Sequence, residues 1–309
     1  MKMFSLEQIN YDTLVVDEWL SLFGNCFGQR DFVNVNWHNW FNLGYNKNKV
    51  FVIKDGPRMI ASYGLYPIDI VFDSKNFQGY LCHNVMTDPE YGGMGLFTKL
   101  GKYSIDSVSG ENVILLGIPN ENAIRGHLKV GWQEMPNIPF YEKTNFDSQS
   151  KKHCVFKEIV SFDTTDDQKL ISFMQKYKFC VKKDHRFLNW RFEKNPRNEY
   201  KIFKSEPFTS YVVLKMYQDN LNKIHIVDYG YEDTDDFINI LNFTSTLCAS
   251  LNVDILNVWC LHLEEQKLLL ENNFVESNFS NRLILHSSIN FLEQDTNNWH
   301  ITLADNDVY

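Results

Sequence analysis

Val85-Met86-Thr87-Asp88-Pro89-Glu90-Tyr91-Gly92-Gly93-Met94-Gly95-Leu96-Phe97-Thr98-Lys99-Leu100 is the stretch on which the reading of the fold turns. An apolar, extended run ends at a proline, Gly92, Gly93 and Gly95 follow, and a helical pattern then begins. A strand that passes through a glycine-rich turn into a helix start presents a cluster of backbone N–H groups to an anion. Glycine leaves no Cβ between that backbone and the ligand. Phosphate or pyrophosphate is the implied ligand. Two phosphate loops are excluded. The P-loop needs a Lys directly after its last glycine, and none follows Gly95. The dinucleotide fingerprint needs a third glycine and an early place in a βαβ unit, whereas here Phe97-Thr98 follow and residues 1–84 come first.

Elements on both sides are readable. Leu14, Val15, Trp19, Leu22 and Phe23 have helical spacing within 12–30, a helix closed by Gly24 and Gly28. Residues 32–41 carry Trp37, His38 and Trp40 and read as a short helix, with the tryptophans forming either an aromatic patch under a sheet or a substrate wall. Strands are expected at 50–54, 59–66, 68–72 and 80–86, with a hairpin turn at Lys54-Asp55-Gly56-Pro57-Arg58. A helix over 94–108 and a strand over 113–117 come next. Alternation along the strand before the glycines puts His83, Val85 and Thr87 on one face and Asn84, Met86 and Asp88 on the other.

Composition sets the class. The 309 residues allow two domains, and 44% apolar with 22% charged residues is globular. Net charge is −9, the opposite of a nucleic-acid binder's basic excess. The densest basic cluster, Lys182-Lys183 with His185-Arg186, reads as a solvated face. The six cysteines form no C-x-x-C pair and no metal site is expected; most sit in apolar runs as buried thiols. No long apolar run suggests a membrane span and residues 1–8 lack a signal-peptide core, so the cytoplasm is the expected compartment.

The 85–100 stretch resembles motif A of the GNAT N-acetyltransferases, in which a strand runs into [RQ]-G-x-G-[IL]-[GAF] and a helix. Gly93, Gly95, Leu96 and Phe97 match, and Gly92 stands where the family usually has Arg or Gln. Downstream, Ile118-Pro119-Asn120-Glu121-Asn122-Ala123-Ile124-Arg125-Gly126-His127-Leu128-Lys129-Val130-Gly131-Trp132 resembles motif B, with Asn120, Ala123, Gly131 and Trp132 matching. The second half resembles a degenerate copy. Residues 187–196 echo Trp37–Phe41, and strands at 200–204, 209–217 and 223–229 precede a helix at 234–251 and a strand at 254–260. Leu268–Phe274 resembles the end of motif B with Asn273 for Gly, but no G-x-G precedes the helix, where Glu232, Asp233, Asp235 and Asp236 stand instead.

The resemblance implies an α/β (α+β) fold, a mixed, mostly antiparallel central sheet flanked by helices, in two tandem domains: residues 1–145, binding CoA, and 153–309, without a pyrophosphate loop. It implies an acetyl-CoA-dependent N-acetyltransferase acting on a small-molecule amine, an amino sugar of surface polysaccharide being the acceptor associated with some bacterial members, and a monomer or homodimer that binds no nucleic acid. The alternative is an acyl-CoA-binding protein without turnover; a Fem-type aminoacyl transferase lacks support, having neither basic surface nor coiled-coil insertion here. Val85, Met86 and Thr87 would pair with the pantetheine, Gly92, Gly93, Met94, Gly95, Leu96 and Phe97 would hold the pyrophosphate, and Asn120, Asn122 and Ala123 would meet the pantetheine arm. His127 takes the place of the usual acid, a Tyr, with Tyr141 as substitute, and stands equally as a half-buried helix residue. His83 and Asp88 are the base candidates, Asp88 also reading as a turn residue. Trp37 and Trp40 are the candidate substrate contacts, and a C-terminal carboxylate inserted into the site is a remote option.

Overall fold

In the computed structural model, residues 4–9, 13–43, 45–146 and 154–306 are described. The expected boundary at 143–152 falls largely outside them. The first half runs β1 Ser5–Ile9, α1 Thr13–Phe27, α2 Val35–Leu43, β2 Lys49–Asp55, β3 Arg58–Phe72, β4 Lys75–Thr87, α3 Leu96–Asp106, β5 Val113–Gly117, α4 Ile124–Lys129 and β6 Gln133–Lys143. The second runs β7 Val155–Ile159, α5 Asp167–Met174, β8 Phe179–Val181, α6 His185–Leu188, β9 Lys201–Glu206, β10 Ser210–Gln218, β11 Asn222–Tyr231, α7 Thr234–Ser250, β12 Ile255–Trp259, α8 Leu263–Glu271, β13 Val275–His286 and β14 Trp299–His300.

The elements form two compact units that interleave in sequence. The first takes residues 1–69, 77–135 and 282–294; the second takes 70–76, 136–281 and 295–309. The division therefore differs from one break between 145 and 153. The first unit's sheet runs β1-β2-β3-β4-β5 and then the end of β13. β1, β2 and β3 pair antiparallel, β4 and β5 parallel, and β13 antiparallel to β5 through Ile284↔Gly117. The second unit's sheet runs β7-β9-β10-β11-β12-β6 with the same directions: antiparallel pairs, one parallel pair β11/β12, then β6 antiparallel to β12 through Val258↔Tyr141. In each unit a helix crosses over between the parallel strands, α3 in one and α7 in the other, as a parallel pair requires. The result is the expected mostly antiparallel sheet flanked by helices.

Local chemistry explains most boundaries. α1 buries Val16, Trp19, Leu22 and Phe23 on one face. Asn34 starts α2 by accepting from the amides of Asn36 and Trp37 at 3.0 and 3.2 Å. Asp73 and Ser74 both have positive φ, 52° and 62°, as a two-residue hairpin between β3 and β4 demands. The two strands expected at 59–72 are one: β2 ends its pairing at Lys49↔Leu65, so Pro67 lies beyond it and removes no bond to β2. α3 buries Leu96, Leu100, Ser104 and Ile105 against Phe51, Ile53, Tyr63 and Leu115 of the sheet, each large side chain stabilising by roughly 1.5–3 kcal/mol.

Lys183 corrects one sequence expectation. Far from lying on a solvated face, it is 1% exposed, and its Nζ donates to Asp228 at 2.6 Å and Thr302 at 2.9 Å and lies 3.2 Å from Asp305. Asp228 also accepts from the Tyr211 hydroxyl at 2.8 Å. Arg191 donates to the carbonyls of Ala304 and Asn306. Residues 301–306 are thus buried in the second unit; 307–309, and with them the terminal carboxylate, lie outside the described residues. Lys183→Met leaves two buried carboxylates without their cation, and urea unfolding is expected to show a loss of about 3–5 kcal/mol.

Candidate functional site: the glycine loop and its strand

The loop begins on a fixed base. Asp88, 1% exposed, caps the 3-10 turn Pro89–Tyr91 by accepting from the Glu90 amide at 3.0 Å. The same carboxylate accepts from Arg58 at 2.7 Å and Asn25 at 3.1 Å, while the Tyr91 hydroxyl donates to Asp55 at 2.8 Å. Burial pushes the Asp88 carboxyl up, but the Glu90 amide, Arg58 and Asn25 hold it below its ordinary range. A carboxylate so engaged is a weak proton acceptor. Asp88 is therefore an anchor of the turn, and its turn reading prevails over the base.

Beyond it, Gly93 and Gly95 have φ of 76° and 71°, the left-handed region that glycine enters without strain. Gly92 has φ −58°, open to any residue, and its N–H bonds the Pro89 carbonyl at 3.1 Å. Gly95 caps α3 with no side-chain hydrogen bond. The first helical turn, Leu96–Thr98, therefore points its amides outward with no acidic residue among them. Gly92, Gly93, Met94 and Gly95 are exposed, Met94 at 54%, whereas Leu96 is buried and Phe97 packs edge-on to His127. α7 in the second unit is the counter-example: Asp233 caps it, accepting from Asp236 at 3.0 Å, and Asp235 and Asp236 occupy its first turn.

β4 departs from the expected alternation. Asn84 has φ +47°, and among the described residues it is the one non-glycine residue in the left-handed region inside a strand. Tyr80 and Cys82 lie in the core beneath α3, and the next residue packed on that core is Val85, not Asn84. The left-handed Asn84 and the step of the core side from Cys82 to Val85 are what a β-bulge at this residue produces, and the faces exchange there. His83 consequently shares its side with Met86, and Val85 goes with Cys82. Asn is a poor strand former that tolerates left-handed backbone, which is the signal that was present in the sequence.

His83 is 3% exposed, stacked on Phe41 at 4.8 Å and 7°, and clamped from below by Gly64, where a Cβ would come within 2.6–2.8 Å of it. Its Nε2 lies 2.9 Å from Asn48 Oδ1 and its Nδ1 2.9 Å from Asn84 Nδ2. Burial and the neighbouring His38 lower it to about 3. With both ring nitrogens engaged it is not a general base. It lines a small crevice with Trp19, Trp37, His38, Phe41 and Ser62. Trp37 packs tilted against Trp19 and edge-on to Phe23 and Phe41, and Trp40 lies edge-on to Phe41 at 4.6 Å; both tryptophans are buried.

His127, 3% exposed, sits on α4 among Phe97, Trp132 and Tyr63, its Nδ1 3.2 Å from the Tyr63 hydroxyl. Burial lowers it to about 4, so it is neutral at pH 7 and no imidazolium is at hand as an acid. The second unit has a leucine in the same role. Trp132 N–H bonds the His127 carbonyl across Gly131 (φ 94°), as Phe274 N–H bonds the Leu269 carbonyl across Asn273 (φ 64°). Both positions are buried core. Tyr141, 2% exposed, is a core residue of the second unit whose hydroxyl is pushed by burial to about 12. Asn120 is exposed and uses its Oδ1 to accept from Asn122 and Ala123, both at 3.0 Å, opening α4.

These imidazoles make stability depend on pH. Unfolded histidine protonates near 6.5, while buried His38, His83 and His127 do so only near 4, 3 and 4. The unfolded chain thus gains protons first as pH falls. Thermal unfolding is expected to show full stability above about pH 6.5 and a steady loss from there toward pH 4. His127→Leu should reduce the slope of that loss.

A search of the curated proteins found no match by sequence. Solved structures with the same fold are recognisable. A GCN5-related N-acetyltransferase from Anabaena variabilis superposes with a TM-score of 0.68 at 12% identity, over 91% of this chain and 72% of that one. A protein of unknown function from Enterococcus faecalis, described as a probable N-acyltransferase, gives 0.72 at 12%, over 92% and 73%. Saccharomyces cerevisiae N-myristoyltransferase with bound myristoyl-CoA gives 0.60 at 9%, over 92% and 79%. These likenesses show the fold. Residues 11–133, which contain the loop, β4 and α4, match the family model described as an acetyltransferase (GNAT) domain.

Proposed function

We propose that the protein transfers an acetyl group from acetyl-CoA to a primary amine of a small molecule. The observation that carries this reading is the start of α3, uncapped and free of acidic side chains, behind two left-handed glycines. The amides from Gly93 to Phe97 and the helix dipole hold the pyrophosphate. Val85, Met86 and Thr87 lie along the pantetheine, and Asn120, its Oδ1 engaged, has its Nδ2 for the arm. The ammonium first gives one proton to water; the free nitrogen then attacks the thioester carbon, the carbon–sulfur bond breaks, and a second proton from that nitrogen passes to the departing sulfur, so that CoA leaves as the thiol. Because His83, Asp88 and His127 are held unprotonated or ion-paired, the chain works on this step through positioning and backbone polarisation.

An amino sugar is the acceptor class we favour, being a small cationic amine that suits a chain of net charge −9. We read the second unit as a degenerate copy of the first. Matching strand directions and the shared helix end at Gly131 and Asn273 support the copy; the Asp233 cap supports the loss of anion binding. The cytoplasm, with its acetyl-CoA, is the compartment, in keeping with six cysteines outside any disulfide; among the described residues no helix is long and apolar enough to cross a membrane.

The hydrogen bonds and burial that hold His83, Asp88 and His127 favour one alternative, an acyl-CoA-binding protein without turnover. Calorimetry with acetyl-CoA followed by thiol release across an amine panel separates the two; no CoA binding sinks both. Gly95→Asp places at α3 the carboxylate that α7 carries and is expected to weaken acetyl-CoA binding by about tenfold or more. Gly92→Arg fits the φ of −58° there, while its Cβ, 3.1 Å from the Pro89 carbonyl, is a tight contact that the turn must ease by a few tenths of an ångström. It should lower the KM for acetyl-CoA by adding a cation beside the phosphates.

A further inference from the structure

The bulge in β4 is held by a chain of side chains that none of the family motifs includes. Asn48, just before β2, has only its amide oxygen facing His83, at 2.9 Å, so His83 Nε2 carries the proton and donates. His83 Nδ1 is then bare and accepts from Asn84 Nδ2 at 2.9 Å. Asn84 is the residue at φ +47°. The imidazole has no room to turn: Phe41 stacks on one face and Gly64 backs the other. A left-handed non-glycine residue costs about 1 kcal/mol or more unless its surroundings over-determine it, and these contacts do so.

We infer that His83 is a positioning residue for acyl transfer: by gripping the Asn84 amide it locks the bulge that turns the Val85 backbone toward the thioester. The inference rests on the acyl-CoA reading above. A bulge interrupts the strand ladder and re-aims the backbone groups that follow it. At Val85 those groups are the ones that reading assigns to the reacting acyl end. The pyrophosphate loop lies further along the chain and is untouched by the grip. His83 therefore governs turnover and not cofactor affinity.

Kinetics of His83→Leu, Asn84→Gly and the double variant test this. Glycine adopts φ +47° freely, so Asn84→Gly keeps the fold while removing the grip. Each single variant is expected to lower kcat by about tenfold with the KM for acetyl-CoA within about twofold, and the double variant to be no worse than His83→Leu alone. The pH profile of kcat/KM should keep its wild-type midpoints, because no proton passes through His83. A folded Asn84→Gly variant with wild-type kcat overturns the inference, as does a His83→Leu profile that loses its acid limb, the mark of a base. Wild-type protein that neither binds nor turns over acetyl-CoA would instead remove the reading on which the inference stands, and the inference with it.

Discussion

The first turn of α3 has no acceptor of its own. Every helix leaves amides unsatisfied at its start, and most chains answer with a side chain, as Asp233 does for α7. At α3 the residue in that place is Gly95, which has nothing to offer. The rest of the first unit is arranged around keeping those amides open and in place. Gly93 and Gly95 bend the chain into the helix through backbone forms other residues resist, and Asp88, Arg58 and Asn25 fasten the turn before it. Leu96 and Leu100 nail the helix to the sheet immediately behind.

Much of this was legible in the sequence. The strand–glycine–helix order, the hairpin at Asp55–Arg58 and the helix at 13–27 follow from local patterns, whose physics acts within a few residues. In the second half the run from β9 to α8 was readable, down to the Asn that ends a helix where Gly is usual, whereas β7, α5, β8, β13 and β14 were not read. Three things were not. The bulge at Asn84 reverses the faces of β4, and alternation carried through it assigned Val85 to the wrong side. The partners of Asp88 and Lys183 come from far along the chain, so Asp88 also looked free to act as a base and Lys183 looked like a solvated charge. The origin of the last strand of each sheet depends on pairing that no local pattern encodes.

The acid–base candidates illustrate why residue type and position alone misjudge chemistry. His83, Asp88 and His127 have the right types in the right neighbourhood. Each is nonetheless held by its surroundings: one between two asparagines, one by an arginine, an asparagine and an amide, one buried among three aromatic rings with its Nδ1 beside the Tyr63 hydroxyl.

The two sheets borrow their closing strands from opposite halves of the chain: β13 finishes the first unit and β6 the second. During synthesis the first sheet stays unfinished until residues 284–286, more than 160 positions after the strand they pair with, leave the ribosome. Neither half, cut out at the polar stretch between them, carries a full set of strands. Such a fragment would bare the open edge of β5 or β12 and invite pairing with other chains. Each sheet is thus completed by a strand from the other half of the sequence, so neither unit's sheet can be cut free at a single point between them.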